Sequence, residues 1–410
     1  MPATWVGLLL AFMPLSMVLV VGTMPLVERL GPKRLMFAAW MTRYLIACAV
    51  FLMPWAMVRW GSRASWYVLC AVTLAFCIAR AVGAGGWFPW LHEVVPERQR
   101  GLYFSTETSI AHLVNVGIAA AQGLVLRDDA GLAPYLLVYG AGICMGLFSL
   151  VWMWRVPGGS ALEETFSERG AFTSYRAVLR DGPFLLFVLT ASLCFSCLSW
   201  VGAALVMYLR DALWLDPRTV MLMVSGGSCG ILLTIRFWQR FADHSGSGRA
   251  MFKTMLAYSF GALLFLTLVP GTAWARYAAP VAVVAVYMFG AAFSMAAHRA
   301  MLNYVKEPGR VAYTNVWIVG TALALGLTPI AVGRFVDWWG MAGFQVCFLV
   351  AGLLGLVCTG ACLFVVRDGK DDSPTWSDRS LINLGPPIRT LARVAWITVG
   401  MHESNRPRQP

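Results

Sequence analysis

Charge is scarce in this chain. Of its 410 residues only 13% are Asp, Glu, Lys or Arg, while 59% are hydrophobic. A soluble domain carries roughly 25% charged residues, so a single water-solvated core is excluded. Acidic residues are scarcest of all, 20 against 32 basic ones, and none lies near the middle of any long apolar run. No phosphate-binding glycine loop, nucleophile elbow or zinc-ligand spacing occurs, which argues against an ATP-driven pump or an enzyme. No basic segment precedes the first apolar run, "MPATWVGLLL", so a cleaved signal peptide is not expected. No cofactor is indicated.

What is abundant is apolar sequence in long runs. A bilayer core about 30 Å thick takes roughly 20 apolar residues per helix. Runs of that length predict an all-α, polytopic membrane protein with eleven transmembrane helices, over 4–26, 35–58, 66–91, 105–126, 133–155, 184–209, 217–240, 251–269, 277–301, 311–333 and 342–366. The ten cysteines fall mostly inside these runs and read as small buried hydrophobes rather than a disulfide framework. "CFSC", Cys194 to Cys197, shows no further metal ligand nearby, and no metal site is expected.

The basic residues are unevenly shared. With the "VERLGPKR" loop in the cytoplasm, that side carries 23 Lys and Arg including the tail, the opposite side carries 7, and Arg43 and Arg80 lie within helices. This predicts an external N-terminus and a cytoplasmic C-terminus in a plasma (inner) membrane. It also accounts for the net charge of +12 without nucleic-acid binding.

The longest internal polar connection, 157–183, divides the helices five to six. The expected organisation is a five-helix bundle over 1–156, a cytoplasmic linker over 157–183, a six-helix bundle over 184–366 and a cytoplasmic tail over 367–410. Within the tail, Ile388, Leu391, Ala392, Ala395, Trp396 and Val399 share one face over 386–400, flanked by Arg389 and Arg393. That pattern fits an amphipathic helix on anionic lipid, or else a disordered tail.

Two stretches recur. "LVERLGPKR" at 26–34 echoes "FADHSGSGR" at 241–249, aligning Glu28 with Asp243, Gly31 with Gly246 and Arg34 with Arg249. "VPERQRGLYFS" at 95–105 echoes "VKEPGRVAYTN" at 305–315, aligning Glu97 with Glu307 and Arg100 with Arg310. Two echoes in the same order, at offsets of 215 and 210, predict parallel repeats of one bundle. In the second half the glycine loop follows two helices, and in the first it follows one. The first half is therefore one helix short, and the expected place of the absent helix is before residue 4.

These loops resemble the signature loops of the major facilitator superfamily, with Glu28 where an Asp is usual and Met24 and Gln239 where a glycine is usual. The resemblance implies two pseudo-symmetric six-helix bundles, here twelve minus the first. It implies secondary active or facilitative transport of a small solute by alternating access, with Glu28 and Asp243 as conformational latches. Plain loop solvation is the alternative for both. It further implies that the helices at 66–91, 105–126, 184–209 and 277–301 line a central cavity.

Polar residues recur at helical spacing on those four helices. The stripes contain Thr73, Cys77 and Arg80; His112 and Asn115; Ser196 and Ser199; and Tyr287 and Ser294. Arg80 is the most telling, because an unpaired charge inside a bilayer costs several kcal/mol or more. It either binds an anionic group of the substrate or takes part in proton coupling, or it satisfies backbone carbonyls and holds helices together. Arg43 reads as shallower and able to snorkel toward the cytoplasm. His112 could titrate near neutral pH or be structural. The substrate expected is a small solute, an organic anion by the tilt of Arg80, handled by a monomer. The alternatives are a transporter-like membrane scaffold or assembly factor, or an inactive, N-terminally truncated transporter.

Overall fold

The computed structural model of the chain describes residues 3–94, 100–125, 132–159, 171–269, 271–306 and 310–366. The descriptions of Glu97, Glu307 and the 386–400 segment lie outside these residues, as do the side chains of Glu28, Asp243, Arg100 and Arg310. Helix accounts for nearly everything, and no strand occurs among the described residues.

Proline and glycine set the breaks. Helix α1, Ala3–Ser16, contains Pro14, which removes one backbone donor. The chain then tightens into a 3-10 segment, Met17–Thr23, before α2, Met24–Leu30. Gly31 reverses the direction. Helix α3, Pro32–Ala47, passes through a 3-10 segment, Cys48–Leu52, into α4, Met53–Trp60. Gly61 turns the chain at φ 84° into α5, Ser62–Val94. Two further long helices, α6 (Arg100–Val125) and α7 (Leu132–Arg155), complete the first half.

Between the halves lies a short helix that the sequence reading did not anticipate, α8, Ala171–Val178. Then come α9 (Gly182–Met207), α10 (Pro217–Ser245), α11 (Ser247–Leu264), α12 (Ala273–Tyr304), α13 (Arg310–Trp339) and α14 (Met341–Val365). Starts are sharpened by side-chain caps. Asp181 accepts from the Phe184 N–H, Asp216 from that of Thr219 and Thr272 from that of Ala275, satisfying amides the helix itself leaves open.

Among the described residues, ten stretches are long and apolar enough to cross a membrane. They match ten of the eleven predicted spans. The remaining one, 105–126, is helical as predicted, but its apolar part is only Ser109–Gln122. Thr106, Glu107, His112 and Asn115 dilute it.

The two glycine turns have one geometry. Gly31 has φ 79° and ψ 149°, and its N–H donates to Val27 O at 2.9 Å. Gly246 has φ 89° and ψ 152°, and its N–H donates to Ala242 O at 2.9 Å. Residues with a Cβ are essentially barred from that region. Both turns lie at the same end of the molecule. Helices α1 and α13 run antiparallel, with Ala3 at Asp337, and Arg299 on α12 ties the Gly246 turn to the end where α13 begins.

Lipid removes the hydrophobic drive between spans, so helices associate through close packing at small residues. Gly146 faces the ring of Tyr44, and Gly230 faces Val284; a Cβ there would lie 2.1 and 2.9 Å from those side chains. Gly142, one turn before Gly146, faces open space, and Gly226 makes ordinary contact only. The C-terminal half has the denser core, in which Phe187 lies stacked between Tyr304 and Trp317, each ring 7° from parallel.

Helix α9 packs along both α13 and α14 and binds them together. Their counterparts in the first half are α6 and α7. No described helix occupies the place of α9 there, and α6 and α7 scarcely touch.

Candidate functional site

Among the described residues the halves meet chiefly along two helix pairs, α1 with α13 and α6 with α10. The repeat relates these pairs to each other, because α1 corresponds to α10 and α6 to α13. The first pair crosses at glycines. A Cβ on Gly7 would sit 2.2 Å from the Pro329 carbonyl oxygen, one on Gly326 2.5 Å from Leu15, and one on Gly333 2.6 Å from the Ala3 carbonyl oxygen. At the end remote from the glycine turns, the Asp337 carboxylate accepts from the N–H groups of Ala3 and Thr4, 2.8 Å each, and from the Thr4 hydroxyl.

The predicted cavity residues divide into two sets. Ser196 Oγ lies 2.8 Å from Thr328 Oγ1, and Ser199 Oγ donates to the Leu325 carbonyl at 3.1 Å. Both therefore join α9 to α13. Ser294 Oγ donates to the Gly290 carbonyl one turn back, 2.9 Å away, and the Tyr287 side chain is packed against Gly227. In the first half Cys77 is buried, Thr73 and Arg80 are half-buried, and Asn115 is exposed. His112 keeps a buried Nδ1 without a partner. Arg34 and Arg249 are exposed beside their glycine turns, and Arg100 and Arg310 open the corresponding helices α6 and α13.

Arg80 makes no hydrogen bond or ion pair with any described residue. Arg43 differs from the shallow, snorkelling residue expected. Its guanidinium carbon lies 4.1 Å from the Trp40 ring centroid, 4.5 Å from that of Tyr44 and 5.4 Å from that of Phe76, and its Nη2 donates to the Tyr44 hydroxyl. The aromatic rings hold the cation inside the helix pair.

Sequence reasoning missed a second cluster, at the glycine-turn end. The Asp181 carboxylate accepts from Lys306 Nζ at 2.5 Å and from the Tyr313 hydroxyl at 2.8 Å, in addition to the Phe184 N–H. Burial pushes this carboxyl up, but the three hydrogen bonds outweigh it and hold it below its ordinary value. Two residues beyond Tyr313, Asn315 Nδ2 donates to the Tyr175 hydroxyl of α8 at 2.7 Å. The connection between the halves is thus fastened to α13. Asp181 lies in the predicted 157–183 linker, and its long-range partners leave no local signal in the sequence. Arg299 likewise donates to the Ala242 carbonyl at 2.7 Å and to Ser247 Oγ at 3.1 Å, bracing the second glycine turn.

Cys194 and Cys197 do meet further thiols, because Cys194 Sγ lies 3.9 Å from Cys362 Sγ. Even so, among the described residues no group of three or more His, Cys, Asp or Glu could hold a metal ion. A groove of about 470 Å³ between α3 and α5, lined by apolar side chains such as Leu35, Ile46, Ile78 and Val82, contains none of the predicted cavity residues.

Solved structures share this architecture. A D-xylose–proton symporter superposes with a TM-score of 0.67 at 15% identity, covering 89% of this chain and 88% of its own. The nucleoside transporter NupG superposes with a TM-score of 0.57 at 12% identity, covering 90% and 92%. At such identities the likeness concerns the fold. No curated protein matches the chain in sequence. The sequence profile of the Major Facilitator Superfamily matches residues 191–401, just over half the chain. Two repeated bundles joined by symmetric helix pairs, together with that match, place this membrane transporter chain in the major facilitator superfamily.

Proposed function

We propose that the chain is a secondary transporter that moves a small organic anion across the inner membrane by alternating access, as a monomer, with its glycine turns and C-terminus in the cytoplasm. The observation that carries this reading is the way the halves meet. Two antiparallel helix pairs, α1 with α13 and α6 with α10, are related by the internal repeat. Symmetric pairs of this kind can close at one end while parting at the other, which is what alternating exposure of a central site requires. The halves are taken as 1–156 and 184–366, with 157–183 as the tether and the tail after 366 resting on anionic lipid.

The solute class rests on Arg80. It is half-buried within a membrane-spanning helix and has no carboxylate partner among the described residues. A cation in such a place favours an anionic ligand. With Thr73 and Cys77 on the same face of α5, it forms the N-terminal wall of the site. Tyr287 and Ser294 form the opposite wall, Ser196 and Ser199 join α9 to α13 behind it, and His112 and Asn115 flank it. The loops at Glu28–Arg34 and Asp243–Arg249, with Glu97, Arg100, Glu307 and Arg310, act as latches at the cytoplasmic face.

Uptake into proteoliposomes tests the reading. Wild-type protein should accumulate or exchange a small organic anion from a panel of carboxylates and phosphate esters, and Arg80→Gln should lose at least ten-fold in flux. Flux of neutral solutes only, unchanged in Arg80→Gln, would overturn the anionic assignment.

A further inference from the structure

We propose that Arg80 does not act alone: Arg43 and Arg80 form a two-guanidinium site between α3 and α5 for a solute carrying a compact dianion of the phosphate type. The inference rests on the anion-transport reading above and narrows it.

The placement follows from three contacts along the α3–α5 pair. Near the glycine turn, a Cβ on Gly86 would lie 2.5 Å from the Pro32 carbonyl oxygen. Further in, Gly83 abuts Trp40 and Ala39, where a Cβ would come within 2.5 and 2.8 Å. Further still, the Phe76 ring centroid stands 5.4 Å from the Arg43 guanidinium carbon. The helices are antiparallel, so ascending α3 from Pro32 to Arg43 matches descending α5 from Gly86 toward Phe76. Arg80 falls between Gly83 and Phe76, at the level of Arg43.

Its direction is fixed as well. Residues three and four apart share a helix face. Phe76, Arg80 and Gly83 therefore lie on one face of α5, and both flanking members touch α3. Arg80 is directed at the same neighbour. The two guanidinium charges act on each other.

The chemistry of the pair is incomplete without an anion. Arg43 uses Nη2 on the Tyr44 hydroxyl and lays its flat face on aromatic rings, but its Nε is buried with no acceptor. Arg80 has no hydrogen-bond partner among the described residues. Two like charges side by side repel in a low-dielectric interior, and a single carboxylate would neutralise only one of them. A tetrahedral dianion offers three oxygens and two charges, which suits two guanidinium forks. The aromatic rings supply cation–π support, so the arginines can wait in place between ligands.

The test uses the full chain purified in detergent at pH 8, where inorganic phosphate is mainly a dianion. Thermal unfolding is followed against sodium phosphate, sodium sulfate, sodium acetate and sodium chloride at equal ionic strength. Phosphate and sulfate should raise the midpoint saturably, and acetate and chloride should not. Arg43→Gln and Arg80→Gln should each weaken the phosphate effect at least ten-fold, whereas Arg59→Gln, on the exposed end of α4, should leave it unchanged. A measurement on the wild-type chain guards against unstable variants: phosphate should protect both Arg43 and Arg80 from phenylglyoxal, read by peptide mass spectrometry. Absence of saturable stabilisation, or protection of Arg80 without Arg43, overturns the two-arginine site. Stabilisation by acetate that only Arg80→Gln abolishes would overturn it while leaving the anion-transport reading intact. No response to any anion would remove both the dianion and the anionic solute class.

Discussion

Asp337 and Thr4 join the two halves of the molecule at the end remote from the glycine turns. The Asp337 carboxylate accepts from the Thr4 N–H at 2.8 Å and from its hydroxyl, and also takes the N–H of Ala3. A carboxylate from α13 thereby caps the first turn of α1, where the helix dipole is positive. Because α1 and α13 belong to opposite halves, this cap is a contact that opening at that end must break. Asp337→Ala should lower stability by about 1 kcal/mol, the usual size of a lost N-cap. It should also make residues near Trp338 more reactive to water-soluble reagents. Thermal unfolding and labelling rates check the two effects.

The Gly7 crossing gives a sharper steric prediction. Gly7→Val would drive side-chain carbon into the Pro329 backbone, since the Cβ position already lies 2.2 Å from that carbonyl oxygen. Backbone cannot swing aside as a side chain can, so the expected cost is roughly 2 kcal/mol, in the range for overpacked interiors. Gly22→Val on the same span meets nothing within 4 Å and should be near neutral. Comparing the two unfolding midpoints isolates the inter-half contact from general helix propensity.

The glycine turns predict a paired effect. Gly31→Ala and Gly246→Ala each force a Cβ into a backbone region near φ 80–90° with ψ about 150°, at a strain of order 1–3 kcal/mol. Two similar losses in separate variants, and a roughly additive loss in the double variant, would reflect one motif built twice. A loss at only one position would show that the turns are not equivalent.

Asp181 predicts a pH dependence of definite sign. Its folded carboxyl lies below the ordinary value of 3.8. The unfolded chain therefore takes up this proton first as pH falls. The contribution of the Lys306–Asp181–Tyr313 cluster is fully present above the ordinary value and is lost as pH drops through the lower folded one. Between pH 5 and 3, wild-type stability should fall more steeply than that of Asp181→Asn. The difference between the two curves should be flat above pH 5.

The sequence foretold features that are written locally. Helix existence follows from apolar length, and the turns at Gly31 and Gly246 follow from a glycine set among charges. The repeat was visible because those turns demand a residue without a Cβ, a requirement that survives when surrounding residues drift. What it could not supply was the rotation of each helix toward its neighbours. Ser196 and Ser199 share a stripe whether that stripe faces a solute or α13, and here both hydrogen-bond to α13. Arg43 read as a snorkelling residue because nothing in its own helix announces Phe76 on the next one. Asp337 fell beyond the predicted end of its helix, although the helix continues to Trp339. Helix α8 went unread because an eight-residue helix depends on docking, here Tyr175 on Asn315, more than on propensity.

The most direct test of the central claim is a pair of distances measured between the halves at both ends. Spin labels would be attached through introduced non-natural side chains, because the chain has ten cysteines of its own. One pair sits at the exposed Arg34 and Arg249 beside the two glycine turns, and the other at the exposed Trp60 and Trp214 toward the opposite end. In lipid nanodiscs, double electron–electron resonance should show two populations for each pair. Conditions that lengthen the Arg34–Arg249 distance should shorten the Trp60–Trp214 distance. A single unchanging distance at both ends, with and without anion and across pH, would contradict alternating access.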